Sequence, residues 1–333
     1  MIKTLIVDDS PLVRSILKDF LESEGSFEII GEAENGQESV NKTRELSPDL
    51  VTMDIEMPVM NGLDAILEIK KTNSCGIVVI SNHDTAKMAY DAIVSGAHEF
   101  FAKDIFTSKI SDMKREEIFR ILKQISNLNN AAVEQNAENY GAEATKKINC
   151  ITIASSTGGP MALCHICSAL PENFPVPILL VQHNTSGFDK SFVQWLNGYS
   201  RVNVQLAEEG TIPLGGNVYV APTDKHIVIN NTGIAFDDGE PVNNQKPSAD
   251  VLFKSASNIY RDSLVSIVLT GMGNDGAEGT RFVKQAGGIT IAQDKTSSMI
   301  FGMPQSAIET GCVELILPLN EIANKLVSLT GGG

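Results

Sequence analysis

The 333-residue sequence predicts an α/β protein of two domains, each a mostly parallel sheet with helices on both faces, and three observations carry that prediction. Short apolar, β-branched runs recur between helical patterns, at residues 4–7, 50–53, 76–80, 150–154, 177–181 and 264–269. Strands apolar on both faces belong to parallel sheets covered by helices. The chain is longer than one ordinary domain. From about residue 127 to 147 the composition turns to Asn, Ala, Glu and Gln with few large apolar side chains, which reads as a tether. The expected organisation is therefore a first domain over 1–125, a linker over 126–147 and a second domain over 148–333.

In the first domain, the strand at 4–7 ends in Asp8-Asp9-Ser10, and Pro11 opens an amphipathic helix to about residue 24. A strand over 27–33 is followed by a helix from about 36 to 45. The strand at 50–53 ends at Asp54, before a loop over 56–62 and a third helix. The strand at 76–80 ends at Ser81, a helix covers about 85–95, and a short strand at 98–102 ends at Lys103. A last helix over about 108–126 carries Ile118, Ile121, Leu122 and Ile125 at helical spacing.

In the second domain, residues 150–154 run straight into Ser155-Ser156-Thr157-Gly158-Gly159, and a helix follows from about 160 to 170. The strand at 177–181 terminates in Gln182-His183, with a helix near 188–199. Strand signals at 218–222 and 226–229 follow, the second entering a hairpin through Asn230-Asn231-Thr232-Gly233. Ser248 is placed to cap a helix running to Tyr260. The strand at 264–269 ends in Thr270-Gly271-Met272-Gly273-Asn274-Asp275-Gly276, and strand and helix alternate to residue 329.

Composition excludes several classes. Hydrophobic residues make up 42% and charged residues 20%, as in soluble globular proteins. No apolar run approaches the ~20 residues of a membrane span and no signal-peptide pattern opens the chain, so a cytoplasmic protein without membrane insertion is expected. A net charge of −15 repels phosphate backbones and argues against nucleic acid as a partner. The five cysteines are scattered and fit reduced thiols; Cys164-His165-Ile166-Cys167 falls inside a predicted helix and reads as packed small side chains.

Ligands of parallel α/β sheets bind beyond the carboxyl ends of the strands. The first domain delivers Asp8, Asp9, Asp54, Ser81 and Lys103 there. Clustered carboxylates repel one another unless a cation lies among them, and an all-oxygen site suits Mg²⁺. Asp54 could then act as a nucleophile toward phosphorus, with the lysine and the hydroxyl completing a pocket for a tetrahedral anion. The second domain delivers Ser156, His183 and Asp275, which have the chemistry of a nucleophile, a general base and a carboxylate that orients the base. Helix-start N–H groups after the serine would stabilise an oxyanion. Taken singly, each has an ordinary reading: a helix cap, a core histidine and a turn aspartate. Their coincidence at three strand ends favours a site. The rival reading of the Ser-Ser-Thr-Gly-Gly turn, a nucleotide cradle, lacks the lysine of a P-loop, and His183 stands where a ribose-binding acid would be needed.

These residues carry two resemblances. Residues 1 to about 125 resemble a response-regulator receiver domain, with a flavodoxin-like (βα)5 fold, through Val7-Asp8-Asp9-Ser10, Asp54-Ile55-Glu56-Met57-Pro58 with Asn61-Gly62, Ser81, and Gly96-Ala97 with Phe100 and Lys103. The resemblance implies that Asp54 accepts phosphate from a chemotaxis histidine kinase. It implies Mg²⁺ held by Asp9, Asp54, the main-chain carbonyl of Glu56 and, indirectly, Asp8. Ser81 and Lys103 would contact the phosphoryl group, and Phe100 takes the position of the switch aromatic. Asp104 stands where that family usually has proline.

Residues from about 148 to 330 resemble the catalytic domain of the chemotaxis protein-glutamate methylesterases. The matching motifs are Ser156-Thr157-Gly158-Gly159, Gln182-His183, Ala221-Pro222 with Asp224-Lys225-His226, Pro247-Ser248 with Asp250-Val251-Leu252-Phe253, and the run from Leu269 to Gly276. The resemblance implies hydrolysis of glutamyl methyl esters on chemoreceptors, with deamidation of glutamines, no cofactor in this domain, and Thr157 and Met272 at the oxyanion and support positions. Ala154-Ser155 replaces the usual Gly-Ala. Two adjacent serines leave the nucleophile open on paper; side chains alternate along a strand, so only one can face the pocket, and Ser156 is the expected one. An unphosphorylated receiver covering the cleft, released by phosphorylation, is the expected control. Other classes are a DNA-binding output domain, for which no helix-turn-helix or basic face is present, and a non-catalytic receptor-binding output domain.

Overall fold

The computed structural model describes residues 1–82, 86–107, 110–127, 146–184 and 187–331, so nearly all of the expected linker lies outside the described residues. The chain divides into two compact units, Met1–Ala132 and Val133–Gly333. Among the described residues no helix is long and apolar enough to cross a membrane.

The first unit alternates strand and helix. Its strands are β1 (Ile2–Val7), β2 (Phe27–Ala33), β3 (Leu50–Met53), β4 (Gly76–Ser81) and β5 (Glu99–Ala102). All pair in parallel in the order β2-β1-β3-β4-β5. The helices are α1 (Pro11–Glu22), α2 (Gly36–Leu46), α3 (Gly62–Thr72), α4 (Ala86–Val94), α5 (Asp104–Thr107) and α6 (Asp112–Ser126). Strand order reverses beside β1, so the carboxyl ends of β1 and β3 flank the topological switch point, where such sheets bind ligands. Phe20 of α1 joins the unit's carboxyl end by packing on Phe106 and Phe119, with ring centroids at 5.0 and 4.7 Å. The helix expected over about 108–126 is α6, and the short α5 before it was not expected. Asp104 opens the short α5, and the Ser111 hydroxyl accepts the Lys114 N–H at the start of α6.

The second unit has β6 (Cys150–Ser155), β7 (Ile178–Gln182), β8 (Asn203–Leu206), β9 (Asn217–Val220), the hairpin strands β10 (His226–Asn230) and β11 (Gly233–Asp237), then β12 (Leu264–Val268), β13 (Ile289–Gln293) and β14 (Leu315–Leu317). Seven of them form a parallel sheet in the order β14-β13-β12-β6-β7-β9-β8, and β10 and β11 pair apart from it, antiparallel. Its helices are α7 (Gly159–Ala169), α8 (Asp189–Tyr199), α9 (Ala249–Tyr260), α10 (Ala277–Gln285), α11 (Gly302–Glu309) and α12 (Leu319–Thr330). α7 packs with α8 and α12, and α10 with α9 and α11, so both faces of the sheet are covered. Every residue of β6, β7, β12 and β13 is buried. β8 was not expected from sequence. It is an edge strand whose Asn203 and Gln205 side chains bond Asn217 rather than fill the core.

The starts of α9 and α10 cap each other. Asp275, just before α10, accepts the Ala249 N–H at 2.7 Å and the Asp250 N–H at 3.1 Å from the first turn of α9. Asp250 in return accepts the Gly279 N–H of α10 at 2.6 Å and the Asn243 side-chain amide at 2.7 Å. Free N–H groups at a helix start favour a carboxylate. The helices meet closely because residue 279 is glycine: a Cβ there would lie 2.7 Å from the Phe253 Cβ. Two buried carboxylates side by side diverge in acidity. Burial works against the Asp275 charge, but the His183 and Ser248 side chains and the Ala249 N–H outweigh it and hold Asp275 below the usual carboxylate range. Burial first, then repulsion from Asp275, push Asp250 up to about 6.

A raised folded-state pKa means that the folded chain binds the Asp250 proton more tightly than the unfolded chain does. Its contribution is present at low pH and lost as pH rises through about 4 to 6. Asp250→Asn keeps an oxygen for Gly279 and removes the charge. The variant is expected to exceed the wild type in stability by about 1–3 kcal/mol near neutral pH, with the gain gone near pH 4. Urea titrations at the two pH values check this; a pH-independent difference would contradict it.

Candidate functional site

The carboxyl end of the second sheet gathers the expected residues because of register. Ala154 of β6 lies opposite Val268 of β12, and Ser155 opposite Gln182 of β7. Ser156, His183 and the loop carrying Asp275 therefore leave three adjoining strands at one level. The ladder continues past the strands: the Ser156 N–H donates to the Thr270 carbonyl at 3.1 Å, and the His183 N–H to the Ser155 carbonyl at 3.0 Å. As in the first unit, this is the switch point, since the chain turns one way from β6 to β7 and the other way from β12 to β13.

The two serines have opposite fates. Ser155 is fully buried and its hydroxyl donates to Gln182 Oε1 at 2.7 Å. Ser156 is half-buried on the other side of the strand. The Gln182 amide holds both neighbours by donating to the Ser156 and His183 carbonyls at 3.1 and 3.0 Å. After Ser156 the chain turns through Gly158 in the left-handed region, φ +75°, which starts α7. A Cβ at Gly159 would lie 2.1 Å from Gln182 Oε1, and one at Gly271 2.7 Å from the Ser156 Cβ, so both glycines let neighbouring backbone close around the serine. Thr157 is buried and its carbonyl accepts the Thr270 hydroxyl. Among the described residues, the Thr157, Gly158 and Met272 N–H groups donate to no main-chain carbonyl.

His183 Nε2 lies 2.8 Å from Asp275 Oδ2. An ionised carboxylate only accepts, so Nε2 carries the proton and Nδ1 the lone pair. Nδ1 is buried and has no hydrogen-bond partner among the described residues. Asp275 also accepts the Ser248 hydroxyl at 2.6 Å. Ser248 does stand at the start of α9, as expected, yet its side chain makes no cap bond; Asp275 does the capping instead. No hydrogen bond joins Ser156 Oγ to His183 among the described residues. The structure thus brings His183 and Asp275 into contact and seats Ser156 beside them on the neighbouring strand end. Met272 is mostly buried in the loop before Asp275. Gln182 and Ser248 acquire their bonds only through strand register and the approach of α9. Their sole sequence signal is their place beside His183 and at a helix start.

In the first unit Asp8, Asp9 and Asp54 each bring a carboxylate oxygen within 4.8 Å of the others; Asp8 and Asp54 are buried and Asp9 is exposed. Lys103 Nζ lies 2.8 Å from both Asp54 Oδ2 and Asp8 Oδ2. Burial lowers the lysine's affinity for its proton, but bonds to Asp54 and Asp8 outweigh that and hold it above its ordinary value. Burial, with Asp8 adding repulsion, pushes Asp54 up to about 6 against the pull of Lys103. Ser81 is buried, and its carbonyl accepts the Lys103 N–H at 2.9 Å. Glu56 is exposed, with its carboxylate outside the cluster. Phe100 is buried against Tyr90, edge to face at 4.9 Å.

Comparison with known proteins covers both units. Residues 151–326 match the family described as CheB methylesterase, and residues 4–115 the response regulator receiver domain. A protein-glutamate methylesterase/protein-glutamine glutaminase of Clostridium acetobutylicum is 37% identical over 99% of this chain and 98% of its own length. The protein of the same description from Pyrococcus abyssi is 38% identical over 100% of this chain and 95% of its own. The crystal structure of the Thermotoga maritima CheB methylesterase catalytic domain is 40% identical and covers 55% of this chain and all of that one, with a TM-score of 0.54. On the match of the second sheet and on full-length relatives, the chain belongs to the CheB methylesterase family, with a receiver domain ahead of the methylesterase domain.

Proposed function

We propose that this chain removes methyl groups from glutamate methyl esters on chemoreceptors for chemotactic adaptation, deamidates glutamines at the same site, and does so under control of phosphorylation at Asp54. The observation that carries the reading is His183, with Nε2 on Asp275 and Nδ1 buried and unpartnered, beside Ser156 on the adjoining strand end. Nδ1 takes the Ser156 proton as Oγ attacks the ester carbonyl, and returns it to the departing methoxide, so methanol leaves. Water, deprotonated by Nδ1 in turn, attacks the acyl-serine; Oγ leaves with that proton and a glutamate carboxylate is released. The N–H groups of Thr157 and Met272 support the reading as donors to the oxyanion. Asp275 holds the imidazole tautomer and balances the imidazolium that forms. The relatives' shared description, methylesterase and glutaminase, supports the substrate class.

In the receiver, a carboxylate trio with no soft donor fits a hard divalent cation. Asp8, Asp9, Asp54 and the Glu56 carbonyl would hold Mg²⁺, which when bound offsets the charge of incoming phosphoryl oxygens. Asp54 offers the attacking oxygen, Lys103 balances charge at Asp54 and Asp8, and Ser81 sits at the neighbouring strand end to contact the phosphoryl group. The phosphodonor is a histidine kinase of the same signalling system.

Methanol release from methylated receptor membranes, with and without a small phosphodonor, tests the reading. Ser156→Ala is expected to lower the rate by about 10³-fold or more. Ser155→Ala, which removes only the bond to Gln182, is expected to stay within about tenfold of the wild type. The opposite ranking would move the nucleophile to Ser155. Asp54→Asn is expected to keep the basal rate and lose the rise with phosphodonor; a rise that survives the substitution would refute control through Asp54.

A further inference from the structure

We propose that His226, at the start of β10, is a positioning residue for the proposed reaction, acting through Ser248 on Asp275. The inference rests on the reading of Ser156, His183 and Asp275 above. His226 is buried, 1% exposed. Its Nδ1 accepts the Ser248 N–H at 3.1 Å, and its Nε2 lies 3.0 Å from the Glu240 carbonyl. A main-chain N–H can only donate and a carbonyl can only accept, so both ring nitrogens are assigned without ambiguity. Nδ1 is bare, Nε2 carries the proton, and the ring is neutral in a single tautomer.

What His226 grips is the residue that aims three donors at one carboxylate. Ser248 is fully buried, with extended backbone, φ −114° and ψ 135°, immediately before α9. That conformation points its hydroxyl at Asp275 Oδ1 and lets the next two N–H groups, of Ala249 and Asp250, reach the same carboxylate. Asp275 has His183 as its fourth donor. The chain of contacts therefore runs from the hairpin to His226, to the start of α9, to Asp275, to the His183 ring. Without an acceptor at the Nδ1 position the Ser248 N–H would be buried and unpaired, and the start of α9 would shift to find a partner. The carboxylate would follow it, and with it the orientation of His183 Nδ1 toward Ser156. A misplacement on the order of 1 Å there is enough to cost about 10²-fold in rate.

Two conservative variants separate the contacts. In His226→Asn the side-chain oxygen can stand at the Nδ1 position and accept from Ser248, while the reach to Glu240 is lost. In His226→Gln the amide can donate to Glu240, while the acceptor for Ser248 is lost. The readout is the rate at which a fluorophosphonate labels Ser156 in the full-length protein, which needs no receptor. Methanol release is measured in parallel, and thermal melting shows both variants folded. His226→Asn is expected to label within about threefold of the wild type, and His226→Gln about tenfold or more slowly, with kcat rather than KM for methanol release falling in proportion. Equal labelling by the two folded variants, or faster labelling by His226→Gln, would overturn the proposal. Failure of the wild type to label at Ser156 would instead overturn the nucleophile assignment on which the proposal rests.

Discussion

The second domain depends on one buried carboxylate. Asp275 is 1% exposed, and burying a charge is costly unless it is paired and hydrogen-bonded. Here it receives four donors: the His183 ring, the Ser248 hydroxyl and two N–H groups from the first turn of α9. The positive end of the α9 dipole adds to the same site. Holding the charge therefore fixes three things together: how α9 begins, how close α10 lies to it, and which nitrogen of His183 is protonated. A substitution that disturbed any one of them would be felt by the others, because they share the same oxygens.

Asp54 sits at an equivalent place, the end of a central parallel strand beside a switch point, and shows the opposite electrostatics. Asp275 is saturated with donors and held acidic. Asp54 has Lys103 and the Ile55 N–H, faces Asp8, and is pushed up to about 6. A carboxylate that only orients its neighbour is best left fully satisfied. One with the role proposed for Asp54, meeting a cation and attacking phosphorus, has to keep bonding capacity in reserve. The same sheet-edge geometry thus holds a donor-saturated carboxylate in one domain and a donor-poor one in the other, and the difference lies in how many donors surround each.

Much of this was legible in the sequence. Strands buried on both faces announce themselves, and the expected ranges 27–33 and 50–53 coincide with β2 and β3. What failed were elements with a different signature. β8 is a polar edge strand with no apolar run. The short α5, Asp104–Thr107, is a single turn, too brief to carry a helical repeat in the sequence. The groups brought to the sheet edge could be named because they follow directly on apolar strands. The layer behind them could not be read, since Gln182, Ser248 and His226 act through partners 22 to 27 residues away.

The serine pair shows why alternation along a strand is stronger evidence than motif proximity. Ser155 and Ser156 are chemically identical and adjacent, so composition cannot choose between them. Register does. Ser155 is the last residue of β6, and its partner across the ladder is Gln182. Its hydroxyl is therefore committed to a buried amide, whose own N–H groups span the carbonyls of Ser156 and His183. Ser155 is committed to the network that keeps Ser156 and His183 at one level. Replacing the small residue usual at this position by serine costs little, since Gln182 supplies an acceptor at 2.7 Å and the added hydroxyl is satisfied in place. The departure that leaves the nucleophile open in one dimension is, in three, a brace between the strand ends that carry Ser156 and His183.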